Sequence, residues 1–133
     1  MQNLCTDIAN YLLSEGIGTS LGVDVFTDAL PDDPIELISI TEYGGVPSTY
    51  VELSGVSRRV QVLARAPNYE DARKKIWGIY QLLFGGESSI LYFTPERWAT
   101  VRALQTPFKV TFDLRNASSF AFNMAVLTFT DKE

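Results

Sequence analysis

Apolar residues recur at the spacing of one helix face in two segments, residues 3–15 and residues 69–84. The first face comprises Leu4, Ile8, Tyr11 and Leu12, and the second comprises Ala72, Ile76, Ile79, Tyr80 and Leu83. Gly16 stands where a residue in the left-handed region would end the first helix. Asn68 is a suitable N-cap for the second helix, and Gly85-Gly86 would end it. The pattern therefore predicts two amphipathic helices.

Seven other segments are rich in β-branched and aromatic residues or alternate between apolar and polar positions. They are residues 23–26, 35–42, 59–65, 88–93, 99–105, 108–115 and 119–130. The last three are predicted to form a meander, and Phe112 is expected beneath the helices with Ile76 and Leu83. The element order predicts an α+β fold in a single domain, residues 1–133: a mostly antiparallel sheet with two helices on one face.

Residues 43–57 lack sustained periodicity and contain three Gly, one Pro and four Ser or Thr. Loops of about 15 residues are uncommon in compact domains and are usually functional or disordered. We expect this loop to become ordered against a partner. Its candidate contact residues are Gly44, Gly45, Val46, Pro47 and Tyr50.

Composition removes most enzyme designs. The chain has no His and a single Cys, so His-dependent nucleophilic catalysis, disulfides within the chain, iron–sulfur clusters and multi-Cys zinc sites are excluded. Cys5, on the apolar side of the first helix, is interpreted as a small core residue. No apolar run approaches the ~20 residues that span a bilayer, and no secretory signal is recognisable. We expect a soluble protein of a cytoplasm-like compartment.

No cofactor or metal site is predicted. The glycines of residues 16–22 follow a helix and precede a strand, which is the wrong order for a phosphate-binding loop. Asp24, Asp28 and Asp32 lack the spacing of a calcium loop. Asp32 and Asp33 lie between prolines and indicate a solvated turn. Aromatic residues around Tyr92 and Trp98 could stack on bases, but their strand spacing favours core or interface positions.

The charges are unevenly distributed along the chain. Residues 1–57 contain nine acidic residues and no Lys or Arg, whereas residues 58–133 contain seven acidic and all eleven basic residues. The two parts therefore carry −9 and +4. Either the two parts neutralise each other inside one fold, or they form oppositely charged flanks that pair between subunits. The overall excess of acid argues against a sequence-reading nucleic-acid binder.

Eight short motifs follow one another along the chain. They are Gly-x-x-Leu-Gly at 18–22, Val-Asp-Val-Phe at 23–26, Leu-Pro-x-x-Pro at 30–34, Gly-Gly-x-Pro at 44–47, Val-x-Val-x-x-Arg-Ala-Pro at 60–67, Ala-x-x-x-Ile-x-x-x-Tyr at 72–80, Pro-Phe-x-x-x-x-Asp at 107–113 and Phe-x-Phe-Asn at 120–123. Their succession resembles the tail-completion, or minor capsid, proteins of long-tailed bacteriophages, and is similar in layout to siphophage tail terminators. The resemblance covers about residues 3–130.

The resemblance implies a non-enzymatic structural protein of the virion neck, assembled in the host cytoplasm. Such proteins form a ring, usually hexameric, that caps the tail tube and docks onto the head-completion or connector protein, and DNA passes through the lumen without specific binding. One alternative is another neck or baseplate component. An alternative of a different class is a small enzyme or ligand-binding α+β domain.

A ring requires that unlike flanks of neighbouring subunits meet, and flanks of opposite charge would favour that arrangement. The candidate basic residues of this subunit interface are Arg58, Arg59, Arg65 and Arg102. The candidate acidic residues are Asp24, Asp28, Asp32 and Asp33.

Overall fold

The structure is a computed structural model that describes residues 4–31, 34–46, 56–85, 90–95, 97–110 and 117–130. Helices α1 (Leu4–Ser14) and α2 (Tyr69–Phe84) lie where the apolar periodicity predicts them. Gly16 has a φ of +87°; its N–H donates to the Leu13 carbonyl and the Ile17 N–H to the Leu12 carbonyl, so α1 ends in a Schellman motif. The left-handed end predicted at Gly16 is confirmed.

Helix α2 begins with the predicted cap. The Asn68 side-chain oxygen accepts a hydrogen bond from the Asp71 N–H at 2.9 Å, and Glu70 and Asp71 lie in the first turn, where carboxylates stabilise the helix dipole. The helix ends at Gly85, where a Cβ atom would lie 2.6 Å from the Gln81 carbonyl oxygen. Only a glycine therefore fits this end of the helix without rearrangement.

In the described part of the chain, seven strands form one sheet. They are β1 (Val25–Thr27), β2 (Leu37–Val46), β3 (Val56–Ala66), β4 (Ile90–Thr94), β5 (Arg97–Ala103), β6 (Phe108–Lys109) and β7 (Ser118–Thr130). Their order is β1-β2-β3-β7-β5-β4, and β6 also pairs with β7. Only the pairing of β1 with β2 is parallel. The predicted α+β class with a mostly antiparallel sheet is confirmed.

The strand pairing corrects two predictions. Strands β2 and β3 continue to Val46 and from Val56, so the flanks of the predicted loop 43–57 are paired strand. Residues 99–130 are not a three-stranded meander, because β5 and β6 both pair with β7, one after the other along its length. The interruption between them, residues 104–107, contains Pro107, which lacks the N–H that an unbroken ladder requires. Phe112 lies outside the described residues.

Both helices cover the same face of the sheet. One continuous cluster joins Ile8 and Leu12 of α1 and Ile76 of α2 to alternate residues of the strands, such as Val62 and Phe122. We call this the covered face. The opposite, or free, face has a smaller buried cluster at one end, formed by Leu37, Leu63 and Ala121 with Phe26, Phe108 and Val110. No described helix packs on the free face.

Candidate interaction surfaces

The middle of the free face is polar. Gln61 and Asn123 lie opposite each other on β3 and β7, and the Gln61 Nε2 donates to the Asn123 Oδ1 at 3.2 Å. The Asn123 Nδ2 donates in turn to the Gln105 Oε1 at 3.2 Å. These three side chains form hydrogen bonds with one another, so this part of the free face is polar and can be exposed to water.

Two arginines share the next row of the free face. Arg59 of β3 and Arg102 of β5 both pair with Ala125 of β7, one from each side, and both side chains are exposed. Within the described residues, neither guanidinium forms an ion pair. One positive charge on each side of the small Ala125 side chain creates a positive potential, which an acidic partner would neutralise.

Arg65 is placed differently from the prediction. Arg65 is a polar position of the alternating segment 59–65 and a candidate for the subunit interface, which would require an exposed side chain, but it is only 3% exposed. Its Nε donates to the Ile35 carbonyl at 2.9 Å, and its NH2 donates to the Pro31 and Pro34 carbonyls at 2.7 and 2.9 Å. The expectation of an exposed Arg65 is wrong because the segment before β2 folds over this end of the free face and uses its donors.

The three ion pairs between described residues all join the acidic part of the chain to the basic part. Arg58 contacts Glu42 at 3.8 Å, Lys75 contacts Glu36 at 2.9 Å, and Arg97 contacts Asp7 at 2.6 Å. The Asp7–Arg97 pair is bidentate, since a second nitrogen of Arg97 donates to the other carboxylate oxygen at 3.2 Å. The hydrogen bond from Arg97 to Asp7 raises the pKa of the guanidinium. Part of the charge split is therefore neutralised inside the subunit, and Arg58 is on the covered side, away from Arg59.

Asp24 organises the turn between α1 and β1. Its carboxylate accepts hydrogen bonds from the Thr19 N–H at 3.0 and 3.1 Å and from the Ser20 N–H at 3.1 Å. Partial burial alone would raise the pKa of Asp24, but the hydrogen bonds from Ser20 and Thr19 lower it. Gly18 approaches Val25 so closely that a Cβ would lie 2.5 Å from the Val25 Cγ2 atom. The turn is thus held by specific contacts.

Asp28 lies at the end of β1 with a φ of 56°. Its N–H donates to the Ile40 carbonyl at 2.8 Å, and its Oδ1 accepts from the Glu42 N–H at 3.3 Å. The buried Cys5 thiol also donates to this oxygen, at 3.7 Å. Burial, followed by the negative charges of Asp28 and Glu42, raises the pKa of the Cys5 thiol to about 12. The expected role of Cys5 as a core residue agrees with its complete burial.

The remaining candidates lie at the loop and the proline-bounded turn. Gly44, Gly45 and Val46 belong to β2, and their register partners on β3 are Arg59, Arg58 and Ser57. A register shift between Glu42 and Gly44 interrupts this hairpin. Pro47, Tyr50, Asp32 and Asp33 lie outside the described residues. The β2–β3 hairpin therefore leads directly into the segment proposed to meet a partner.

Large apolar side chains are exposed at both ends of the strand order. At the β1 end, Leu21, Val23 and Leu30 are 42%, 58% and 52% exposed. At the β4 end, Ile90 and Tyr92 are 41% and 62% exposed, and the Tyr92 ring lies 6.5 Å from the Trp98 ring. Two opposite edges of one sheet thus carry side chains that would be stabilised by burial.

A cavity of about 330 Å³ lies between α1 and the β4–β5 hairpin. It is lined by Asp7, Asn10, Tyr11, Ser14, Tyr92, Phe93, Thr94 and Arg97. Its charged groups are the Asp7 carboxylate and the Arg97 guanidinium, which bind each other. Among the described residues, no group of three His, Cys, Asp or Glu side chains is placed to hold a metal ion.

A family model for bacteriophage tail terminator proteins matches residues 11–127, which spans α2, strands β1 to β6 and most of β7. The chain belongs to this family. A comparison with curated proteins found no match. As a tail terminator, the protein has a structural role in the phage tail and contacts other proteins of the tail or head.

Sequence reasoning favoured core or interface positions for Tyr92 and Trp98 of this tail terminator, but it did not single out Leu21, Val23, Leu30 or Ile90 as exposed apolar residues. The segment Ile90–Thr94 has a recognisable strand pattern, but only the sheet order places it at an edge. At the other edge, the apolar residues Leu21 and Val23 beside Gly22 were the available signal. Among the described residues of the tail terminator, no helix is long and apolar enough to cross a membrane.

Proposed function

We propose that this tail terminator assembles into a hexameric ring that closes the tail tube and joins it to the head connector in the virion neck. The match to the tail terminator family over residues 11–127 carries this proposal. The protein acts by binding and without catalysis. DNA passes through the lumen without sequence-specific contacts, in keeping with a net charge of −5.

Charge on unlike flanks guides ring closure. Arg59 and Arg102 supply the basic side, because their guanidinium groups are exposed and form no ion pair within the described residues. Asp24 and Asp28 lie beside β1 at one edge of the sheet, two strands from Arg59 on β3 and four strands from Arg102 on β5. Exposed pairs contribute only about 0–1 kcal/mol each, so charge sets register and encounter rate while apolar contacts supply most of the affinity.

The end of β2 and the segment that follows it meet the tail tube or the connector. The proposed contact residues are Gly44, Gly45, Val46, Pro47 and Tyr50. Since Gly44–Val46 are paired with β3, deleting them would remove part of the sheet as well as the contact. Tyr50→Ala is the sharper variant, because it removes a large side chain and leaves the described strands intact.

Mass in solution, measured by light scattering or native mass spectrometry, tests the ring. We expect an assembly of about six 14.8 kDa chains, and negative-stain images should show a ring with a central opening. Assembly should slow in 1 M salt, where the Debye length falls to ~3 Å. A particle that stays monomeric at all concentrations and salt conditions would contradict the proposed ring.

The charge contribution is tested by Arg59→Glu combined with Arg102→Glu. This variant should fold normally and assemble more slowly, whereas Lys74→Glu, a control on the exposed side of α2, should assemble as the wild type does. If both variants assemble at the wild-type rate at every ionic strength, charge does not guide the contact.

A further inference from the structure

The exposed apolar residues at the two edges of the sheet lie in surroundings of opposite charge. Residues 15–31, which comprise β1 and the turns on either side of it, are here called the Val23 loop. They carry Leu21, Val23 and Leu30 together with Glu15, Asp24 and Asp28, and contain no Lys or Arg. At the other edge, the Tyr92 patch consists of Ile90, Tyr92, Trp98 and Arg102. One surface is apolar and acidic, and the other is aromatic and basic.

The residues of the Tyr92 patch share one face. Ile90 pairs with Thr100 and Tyr92 with Trp98, while their neighbours Leu91 and Ala99 are buried on the covered face. Trp98, Thr100 and Arg102 therefore follow one another along the free side of β5, with Arg59 two strands away in the row of Arg102. Tyr, Trp and Arg are the residues enriched among those that dominate binding at protein interfaces.

The Val23 loop is held in a fixed shape. Asp24 binds the N–H groups of Thr19 and Ser20, the Gly22 N–H donates to the Val25 carbonyl at 2.8 Å, and three glycines adopt positive φ. Leu21 forms a bridge with Val25. A surface that is already ordered loses little conformational entropy when it binds, which favours its use as a contact.

We propose that the Val23 loop of one subunit docks against the Tyr92 patch of the next copy of this chain. Val23 and Leu21 cover the Tyr92–Trp98 pair, and the acidic residues of the loop face Arg102 and Arg59. Because the two surfaces lie at opposite ends of the strand order, the contact is heterologous, and its repetition closes a ring or extends as a filament. This inference rests on the proposed ring and names the surfaces that would form it.

Cross-linking of single-cysteine surface variants tests the contact. Val23→Cys and Tyr92→Cys are prepared separately, mixed, and treated with a short bismaleimide. The wild type is the first control, because Cys5 is fully buried and the pKa of its thiol is raised to about 12, so it should not react. Gln81→Cys, exposed on α2 and remote from both surfaces, is the matched control.

We expect the mixture to give a covalent dimer at least ~10-fold faster than either variant alone or either variant with Gln81→Cys, because a specific contact raises the effective concentration of the two thiols. A chain carrying both cysteines should give a ladder of covalent oligomers. Equal rates in all mixtures would overturn the inference, and so would faster linking of Val23→Cys to itself, which indicates an isologous dimer.

Images and cross-linking together distinguish a failure of this inference from a failure of the proposed ring. Rings seen in images without preferential linking would overturn the docking of the Val23 loop and leave the ring standing. Preferential linking that produces only open chains would support the docking and contradict a closed ring. If Arg102 instead contacts DNA, Arg102→Glu would weaken the binding of a labelled duplex and leave the cross-linking rate unchanged, which would overturn the assigned role of Arg102.

Discussion

The two faces of the sheet use the same strands in opposite ways. On the covered face, Val60, Val62 and Met124 are fully buried beneath the helices. Their immediate neighbours on the free face include Arg59, Gln61 and Asn123, which are charged or polar and reach solvent or one another. The covered face therefore carries the stability of the subunit, whereas the open part of the free face is available for contacts with other molecules.

Truncation of Phe122 should have the largest effect on the free energy of unfolding. A small effect would contradict the assignment of stability to the covered face. Phe122 is fully buried, and the rings of Tyr80 and Phe84 lie 5.5 and 5.8 Å from its ring. Phe122→Ala should lower the free energy of unfolding by about 3–5 kcal/mol, measured by urea denaturation. Tyr92→Ala, on the exposed edge, should change it by less than ~0.5 kcal/mol. Equal losses would show that both faces support the core.

Arg65 tests the closed end of the free face. Arg65→Met removes the donors of three carbonyls and should cost about 1.5–3 kcal/mol of unfolding free energy, because these hydrogen bonds come from a charged group. Arg59→Met removes an equal charge from the exposed row and should cost less than ~0.5 kcal/mol. A loss at Arg59 as large as the loss at Arg65 would argue against the division of this face.

The Asp7–Arg97 ion pair connects α1 to β5. Its coupling free energy should exceed that of an exposed ion pair. A double-mutant cycle with Asp7→Asn and Arg97→Gln should give a coupling free energy on the order of 1 kcal/mol, since Asp7 is buried and the contact is bidentate. The same cycle on Glu36 and Lys75 should give less, because Glu36 is exposed. The reverse order would contradict a structural role for Asp7.

Cys5 should affect stability only at alkaline pH. The folded protein holds the thiol protonated up to about pH 12, whereas the unfolded chain ionises near 9.0, so this contribution to stability is complete below pH 9 and is lost as pH rises toward 12. Unfolding free energies from pH 8 to 11 should fall more steeply for the wild type than for Cys5→Ala. Parallel pH profiles would show that burial does not perturb this thiol.

The helices and the covered face were predictable, and the free face was not. The stripe of α2 and the Asn68 cap are local patterns, which explains why residues 69–84 were predicted with the observed bounds. The alternation of apolar and polar residues in β3 predicted the burial of Val62 correctly, but it also predicted that Arg65 is exposed. This second prediction failed because a strand pattern does not show whether another segment covers the polar face. Glycines at 44 and 45 suggested a loop, yet pairing with β3 overrode their low strand preference.

The candidate surfaces depended on strand order. Tyr92 and Val23 are exposed because β4 and β1 are the outermost strands, and no local pattern specifies which strands are outermost. The separation of acidic and basic residues was visible in the sequence. Three ion pairs between the acidic part and the basic part nevertheless lie within the subunit. Long-range pairing therefore decided which charges remain on the surface.

The position of β7 has a consequence for how the chain is made. This strand follows all the others in the sequence, yet it lies between β3 and β5 at the centre of the sheet. During synthesis, β1-β2-β3 and β4-β5 emerge first, and β3 and β5 each keep one edge without a hydrogen-bonded neighbour until β7 leaves the ribosome. Contacts of such high sequence separation form slowly, and open strand edges invite association. The nascent subunit is therefore most exposed to aggregation just before residues 118–130 leave the ribosome.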